Sequence, residues 1–307
     1  MPFAVLIAAP LLAQQPQEPS IRVDVNLVNV AFIVRDSSGA LATNLTKEDI
    51  EVFEDGVRQD VRFFGRSGDL PLRLALVADA SGSQEKFVRQ HDRDIREFLK
   101  ASITGQDRAM LVCFGNHIRM VSDFSASPDD TLGLLKEFQK GAGHFPELDP
   151  DGTREDGTAL FDAIYAASAQ KLRTVPGARK AIILFSDGED NSSAHDLMDA
   201  IEAAQLADSL IYTVRYTETK HGQLTSRNRY GTREMNRLAE ETGGAAFDAS
   251  KKDVAASLSE VSAELRSMYE LGYVTTNPVR DGTFRKVVIR ARREGFSVRA
   301  KPGYFAR

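Results

Sequence analysis

"LALVADASGS", residues 74–83, is apolar without a break up to Ala78, then turns to a carboxylate at Asp79 and hydroxyls at Ser81 and Ser83. A strand that is apolar throughout, instead of alternating, is one covered on both faces, as in a parallel sheet layered with helices. Three further runs have this character: "RAMLVCFG" (108–115), "KAIILFSD" (180–187) and "LIYTVRY" (210–216). Helical stretches are expected between and after them, at Glu85–Ile103, Asp129–Gln139, Ala159–Arg173, Ala194–Ala207 and Arg233–Glu241, with a last one in "KKDVAASLSEVSAELRSMY" (251–269). Strand and helix in alternation predict an α/β fold with a doubly wound, mainly parallel, Rossmann-like sheet. "GNHIRMVSDFS" (115–125) follows its predecessor after so short a turn that this pair is expected to be antiparallel.

On either side of this block the pattern changes to short alternating strands. Before it come "IRVDVNLVNVAFIVRD" (21–36) and "IEVFEDGVRQDVRFFGR" (50–66), the latter with an Asp-Gly hairpin signal. After it come "YELGYVTT" (269–276), "FRKVVIRARR" (284–293) and "FSVRAKPGYFA" (296–306). Neither flank has enough strands for a stable sheet alone. The expectation is that residues 21–68 and 269–307 pair into one β-sandwich, with an α/β domain at 72–265 inserted between them. Residues 1–20 read as a secretory leader and linker: an apolar run from Phe3 to Leu12, cleavage near Ala13, then a Gln- and Pro-rich stretch, although no Lys or Arg precedes the run. An exported location, periplasmic or extracellular, follows. No other apolar stretch approaches membrane-spanning length.

A net charge of −5 argues against nucleic-acid binding by bulk charge. Positions 280–307 hold nine Lys or Arg against two acidic residues, but their alternation with Val, Ile and Phe favours a solvated strand face. Cys113 is the only cysteine, so there is no internal disulfide, and within an apolar run it reads as a small buried hydrophobe. The five histidines show no pair at metal-ligand spacing, and the acid-rich "DPDGTREDGT" (149–158) departs from the calcium-loop pattern. Nucleophile-elbow, phosphate-loop and zinc-protease motifs are missing from the sequence.

In open parallel sheets, ligands bind beyond the carboxyl ends of the strands. Three segments place oxygen there: Asp79, Ser81 and Ser83 after one strand, Thr158 in "EDGTALFDAI", and Asp187 in "FSDGED". Hydroxyls with few carboxylates and no His or Cys suit a hard divalent cation, Mg²⁺ first, then Mn²⁺ or Ca²⁺. Each segment taken singly could equally be a helix cap or a turn.

Asp79-x-Ser81-x-Ser83, then Thr158, then Asp187, in this order on an α/β pattern, resembles the von Willebrand factor type A domain and its metal-ion-dependent adhesion site, over roughly 72–265. The flanks, with "LTKEDIEVFEDGVRQ" (45–59) and "GYF" (303–305), resemble those of secreted bacterial proteins related to that domain. The resemblance implies that Ser81 and Ser83 bind the metal directly and Thr158 directly or through water. Asp79 and Asp187 would hold coordinating waters and orient the hydroxyls. Neutral hydroxyl ligands leave the cation electrophilic, so it favours a carboxylate from a protein partner. That implies a non-catalytic binding module. A metal-dependent hydrolase using Asp79 or Asp187 as base is one competing reading. A structural assembly module with an empty site is another. The oligomeric state is not legible in the sequence.

Overall fold

The computed structural model describes residues 27–306 apart from 67, 69, 149–155, 219–222 and 252. The leader reading and most of the acid-rich 149–158 loop therefore lie outside the described residues. The chain begins with β1 (Leu27–Arg35), β2 (Ile50–Glu54), β3 (Val57–Gln59) and β4 (Val61–Arg66). It continues through β5 (Leu72–Asp79), α1 (Val88–Ser102), β6 (Arg108–Phe114), β7 (Ile118–Ser125) and α2 (Pro128–Gln139). Then come α3 (Leu160–Ala166), β8 (Arg179–Ser186), α4 (Leu197–Leu206), β9 (Ser209–Arg215) and α5 (Ser226–Thr242). It ends with β10 (Ala246–Asp248), α6 (Val254–Ser267), β11 (Tyr269–Val274), β12 (Phe284–Ala291), β13 (Ser297–Ala300) and β14 (Gly303–Phe305).

The six-stranded sheet runs β10-β9-β8-β5-β6-β7, parallel except for the antiparallel β6–β7 pair. Every residue of β8 and β9 is buried, which is why these strands carry no polar alternation. Successive side chains of β5 serve opposite faces. Leu72, Leu74 and Leu76 pack with Ile95 and Phe98 of α1 and with Leu258, Val261 and Leu265 of α6. Ala75 and Val77 pack with Leu160 and Ile164 of α3, Ile201 of α4 and Leu238 of α5. Cys113 is a buried member of the first face, and burial pushes its thiol up to about 12.

The expected helices need four adjustments. A 3-10 stretch (Gly82–Phe87) leads into α1, so the first α-helix starts at Val88 and not at Glu85. The helix expected from Ala159 to Arg173 is α-helical only over α3, and then opens into a π-turn at Ala167–Lys171 and a 3-10 turn at Leu172–Thr174. The α4 helix starts at Leu197 because the carboxylate of Asp196 caps it, accepting from the Met198 and Asp199 amides. Helix α5 starts seven residues before Arg233, at Ser226. The Thr225 hydroxyl caps it by accepting from the Asn228 amide. Its polar first two turns hide the helical period in the sequence. Strand β10, three residues long, is added to the edge of the sheet and lacks an apolar run that would announce it.

Outside this block, two four-stranded sheets have the orders β13-β1-β11-β4 and β14-β12-β2-β3. Strands from the two ends of the chain pair in both: β1 with β11 and β13, β2 with β12, all antiparallel. The β2–β3 hairpin turns at Asp55-Gly56, both with positive φ, as a two-residue Asp-Gly turn requires. Val30, Phe32, Val52, Val61, Leu271, Tyr273 and Ile289 share one core between the sheets. Buried Glu54 accepts from the hydroxyls of Tyr273 (2.7 Å), Thr275 (2.5 Å) and Tyr304 (3.0 Å). Several basic residues of the 280–307 segment have partners within the chain: Arg292 pairs with Glu51, Arg293 with Asp49, Arg285 with Asp281, and Arg290 lies over the Phe53 ring.

His91, buried on α1, has its ring edge-on to Tyr216 at 4.3 Å, and its Nε2 has no hydrogen-bond partner among the described residues. Burial pushes its pKa from 6.5 down to about 4. The unfolded chain therefore takes up a proton that the folded one refuses. Stability is expected to fall as pH drops from 6.5 towards about 4, by up to ~3 kcal/mol. Urea denaturation across that range checks this. His91→Phe removes the titrating ring and should flatten the slope; an unchanged slope would place its origin elsewhere.

Candidate metal centre

At the end of β5 the Asp79 carboxylate is buried and held from two sides. Its Oδ1 accepts from the Ser81 amide (2.9 Å) and its Oδ2 from the Ser186 hydroxyl (2.6 Å). Burial, reinforced by the charge of Asp187, pushes Asp79 up to about 7 against the pull of those two hydrogen bonds. Ser81 keeps an extended backbone (φ −67°, ψ 163°), and its Oγ lies 3.2 Å from that of Ser83. Ser83 in turn donates to Asp187 Oδ2 at 2.7 Å. Asp79, Ser81, Ser83 and Asp187 thus form one connected polar group spanning the ends of β5 and β8.

Thr158 is tied in through the backbone. Its amide donates to Asn191 Oδ1 (2.7 Å), and its carbonyl accepts from the Asn191 (3.1 Å) and Ser192 (3.3 Å) amides of the loop after β8. The next amide, Ala159, donates to the Gly115 carbonyl at 2.9 Å. Gly115 itself lies against the Ser81 backbone. Gly157 makes the approach possible: its φ is +111°, and a Cβ there would sit 2.5 Å from Asn191 Oδ1. Thr158 is buried, and its hydroxyl makes no hydrogen bond among the described residues.

Two contributors escaped the sequence reading. Gln84, fully buried, donates from Nε2 to Asp187 Oδ2 (2.8 Å) and to the Tyr216 carbonyl (3.4 Å). Ser186 braces Asp79 and also accepts from the Gly188 amide at 3.0 Å. Both adjoin residues already singled out, but a Gln at a helix start and a Ser at a strand end are unremarkable as residue types. His195 serves Asp162: its Nδ1 is 2.7 Å from Asp162 Oδ1, and its ring stacks on Tyr165.

The loop carrying Asp187 is also gripped by α5. A Cβ on Gly231 would fall 2.4 Å from the Asp187 carbonyl, and one on Gly188 would fall 2.3 Å from the Gly231 carbonyl. Gly231→Ala is expected to cost about 1–3 kcal/mol by overpacking and to displace the loop. Gly133→Ala, on the exposed face of α2 with nothing within 4 Å, should instead stabilise by about 0.5–1 kcal/mol. Urea denaturation of the pair checks the contrast.

Among the described residues no group of three or more His, Cys, Asp or Glu could hold a metal, so a metal at this position would depend on hydroxyl oxygens. Adjacent ligands of a cation bound at ~2.1 Å stand about 3 Å apart, and the two serine oxygens are separated by 3.2 Å. Serine hydroxyls with carboxylates behind them are the kind of donors that would suit a hard divalent cation.

The family model for the von Willebrand factor type A domain matches residues 74–263. No curated protein matches the chain. Among solved structures, BatB from Bacteroides thetaiotaomicron is similar at 16% identity and a TM-score of 0.46, over 63% of this chain and 97% of that one. Proximal thread matrix protein 1 from the mussel byssus, solved with a zinc-occupied MIDAS motif, is 15% identical with a TM-score of 0.49, over 68% and 48%. A von Willebrand factor type A protein from Catenulispora acidiphila is 14% identical with a TM-score of 0.45, over 94% and 75%. With more than half of its length matched by the family model, the chain belongs to the von Willebrand factor type A domain family.

Proposed function

We propose that this protein is a non-catalytic binding module that engages an acidic group of a protein partner through a divalent cation, Mg²⁺ first, at Asp79, Ser81, Ser83, Thr158 and Asp187. The observation that carries the reading is the pair of serine hydroxyls at 3.2 Å, with Ser83 steered by Asp187. Ser81 and Ser83 are the direct ligands, and Thr158 brings a hydroxyl without another hydrogen bond among the described residues. Asp79 and Asp187 fix the loops and orient the hydroxyls. When bound, the cation supplies an electrophilic site for a partner's carboxylate. Among the described residues, Asp79 and Asp187 make their side-chain hydrogen bonds to Ser, Gln and backbone groups, and none to His, Lys or Arg. A general base paired with a polarising cation is therefore not favoured, and binding is the better reading than hydrolysis.

Calorimetry with Mg²⁺ tests it: the parent chain should give saturable heat and Asp79→Ala should not, whereas equal heats from both would remove the proposal. Within the same reading the protein is exported, on the strength of the Phe3–Leu12 run, and fractionation of the source cell checks that. The flanking strands are proposed as one folding unit. Residues 21–68 expressed alone should stay unfolded by circular dichroism; a cooperative melt would contradict that unit. No described helix is long and apolar enough to cross a membrane.

A further inference from the structure

Away from the metal centre, two contiguous cavities open along the seam between the α/β block and the flanking sheets. The outer one, of about 380 Å³, is lined by Leu27, Leu206, Val279 and Phe305 among others. That volume falls within the ~300–1,000 Å³ of small-molecule sites. The inner one, of about 40 Å³, is lined by Arg179 and Glu270. Asn29, Gln205, Asp208 and Lys301 line both.

Three observations set this seam apart from an ordinary groove. The buried guanidinium of Arg179 has Nε and Nη2 without hydrogen-bond partners among the described residues, and its ion pair to Glu270 spans 3.7 Å. Gln205, also buried, spends its Nε2 on the Glu241 carbonyl (2.7 Å), and its Oε1 has no hydrogen-bond partner among the described residues. Leu27, Leu206 and Val279, at 50%, 47% and 56% exposure, gather at this one mouth, three of the seven exposed large hydrophobics among the described residues. Buried donors left unpaired carry a desolvation cost that an acceptor would relieve. Half-buried Lys301 adds a second cation at the junction; burial lowers its pKa while Asp208 opposes the shift.

We propose that this seam binds a small carboxylate with an apolar body, the carboxylate on Arg179 and Lys301 and the body on Leu27, Leu206, Val279 and Phe305. Asp208 and Gln205 Oε1 beside those cations would also receive an ammonium group, so the ligand is either a free apolar amino acid or a simple branched carboxylic acid.

The test is calorimetry on the full chain with leucine, isocaproate and isoamylamine, each up to about 10 mM, well above the ~1 mM dissociation constant of a weak site. Leucine, isocaproate or both should bind and isoamylamine should not; leucine alone assigns the amino acid, and isocaproate alone or with it the simple acid. Lys301→Met and Leu206→Glu, at positions that are not fully buried, should each weaken binding about tenfold or more while retaining the parent's melting behaviour. Absence of binding by both carboxylates would mean that the inner cavity holds only water, and would overturn the proposal. Equal binding of the amine, or unchanged affinity in both variants, would overturn it as well. Mg²⁺ binding at the ends of β5 and β8 is read separately in the same samples, so the two proposals fail independently.

Discussion

Asp187→Ala is expected to lower Mg²⁺ affinity by about 10- to 100-fold, the range for losing a group that orients metal ligands. Asp187 Oδ2 is the acceptor for both Ser83 Oγ and Gln84 Nε2. Without it the Ser83 hydroxyl loses its direction, and the buried Gln84 amide is left with only the 3.4 Å contact to the Tyr216 carbonyl. Leaving a buried donor unpaired adds about 1–3 kcal/mol of destabilisation. Calorimetry with Mg²⁺ and a urea titration read the two effects apart. Asp187→Asn, which keeps an acceptor of the same shape, should recover most of the stability and little of the affinity. Parent-like affinity in the alanine variant would show that Asp187 has no part in holding a cation.

Glu264→Ala is expected to cost about 3–5 kcal/mol, the range for breaking a buried ion pair from one side. Glu264, on α6, is buried and accepts from Arg35 of β1 (2.7 Å), from Arg299 of β13 and from the hydroxyl of buried Tyr212 on β9 (3.1 Å). One carboxylate therefore joins the α/β block to two neighbouring strands, β1 and β13, of one flanking sheet. Its removal leaves Arg299 and the Tyr212 phenol without this acceptor, while Arg35 keeps its pair with Glu260. The midpoint of thermal unfolding should fall on the order of 10 °C. Glu264→Gln, which retains an acceptor but no charge, should fall between. A loss below about 1 kcal/mol would reduce the cluster to a surface ion pair.

Much of this architecture was written in the chain. The runs at 72–79, 108–114, 179–186 and 209–215 are apolar because both faces of the sheet are covered, and that burial leaves an unmistakable pattern. Asp55-Gly56 announced its hairpin because few other residue pairs tolerate positive φ twice in succession. The start of α5 was hidden, since Ser226 to Tyr230 carry only polar or exposed side chains and the cap is a single Thr225 hydroxyl. Strand β10 was hidden because three residues, none of them buried, have no period.

At the candidate site the chain is extended only through Ser81, and Ser83 already lies in the 3-10 stretch from Gly82, so spacing alone did not fix how the two hydroxyls meet. The bracing by Gln84 and Ser186 was not legible either. It depends on which strand ends lie side by side, and β5 and β8 become neighbours only through a crossover of about a hundred residues. The same holds for the grip of Gly231 on Gly188, a backbone contact between segments with no shared pattern.

Anomalous diffraction from crystals grown with Mn²⁺ tests the metal site most directly. One strong peak within about 2.0–2.6 Å of both Ser81 Oγ and Ser83 Oγ is the expected result. A well-ordered loop with no peak there, or a peak held only by other residues, would contradict it.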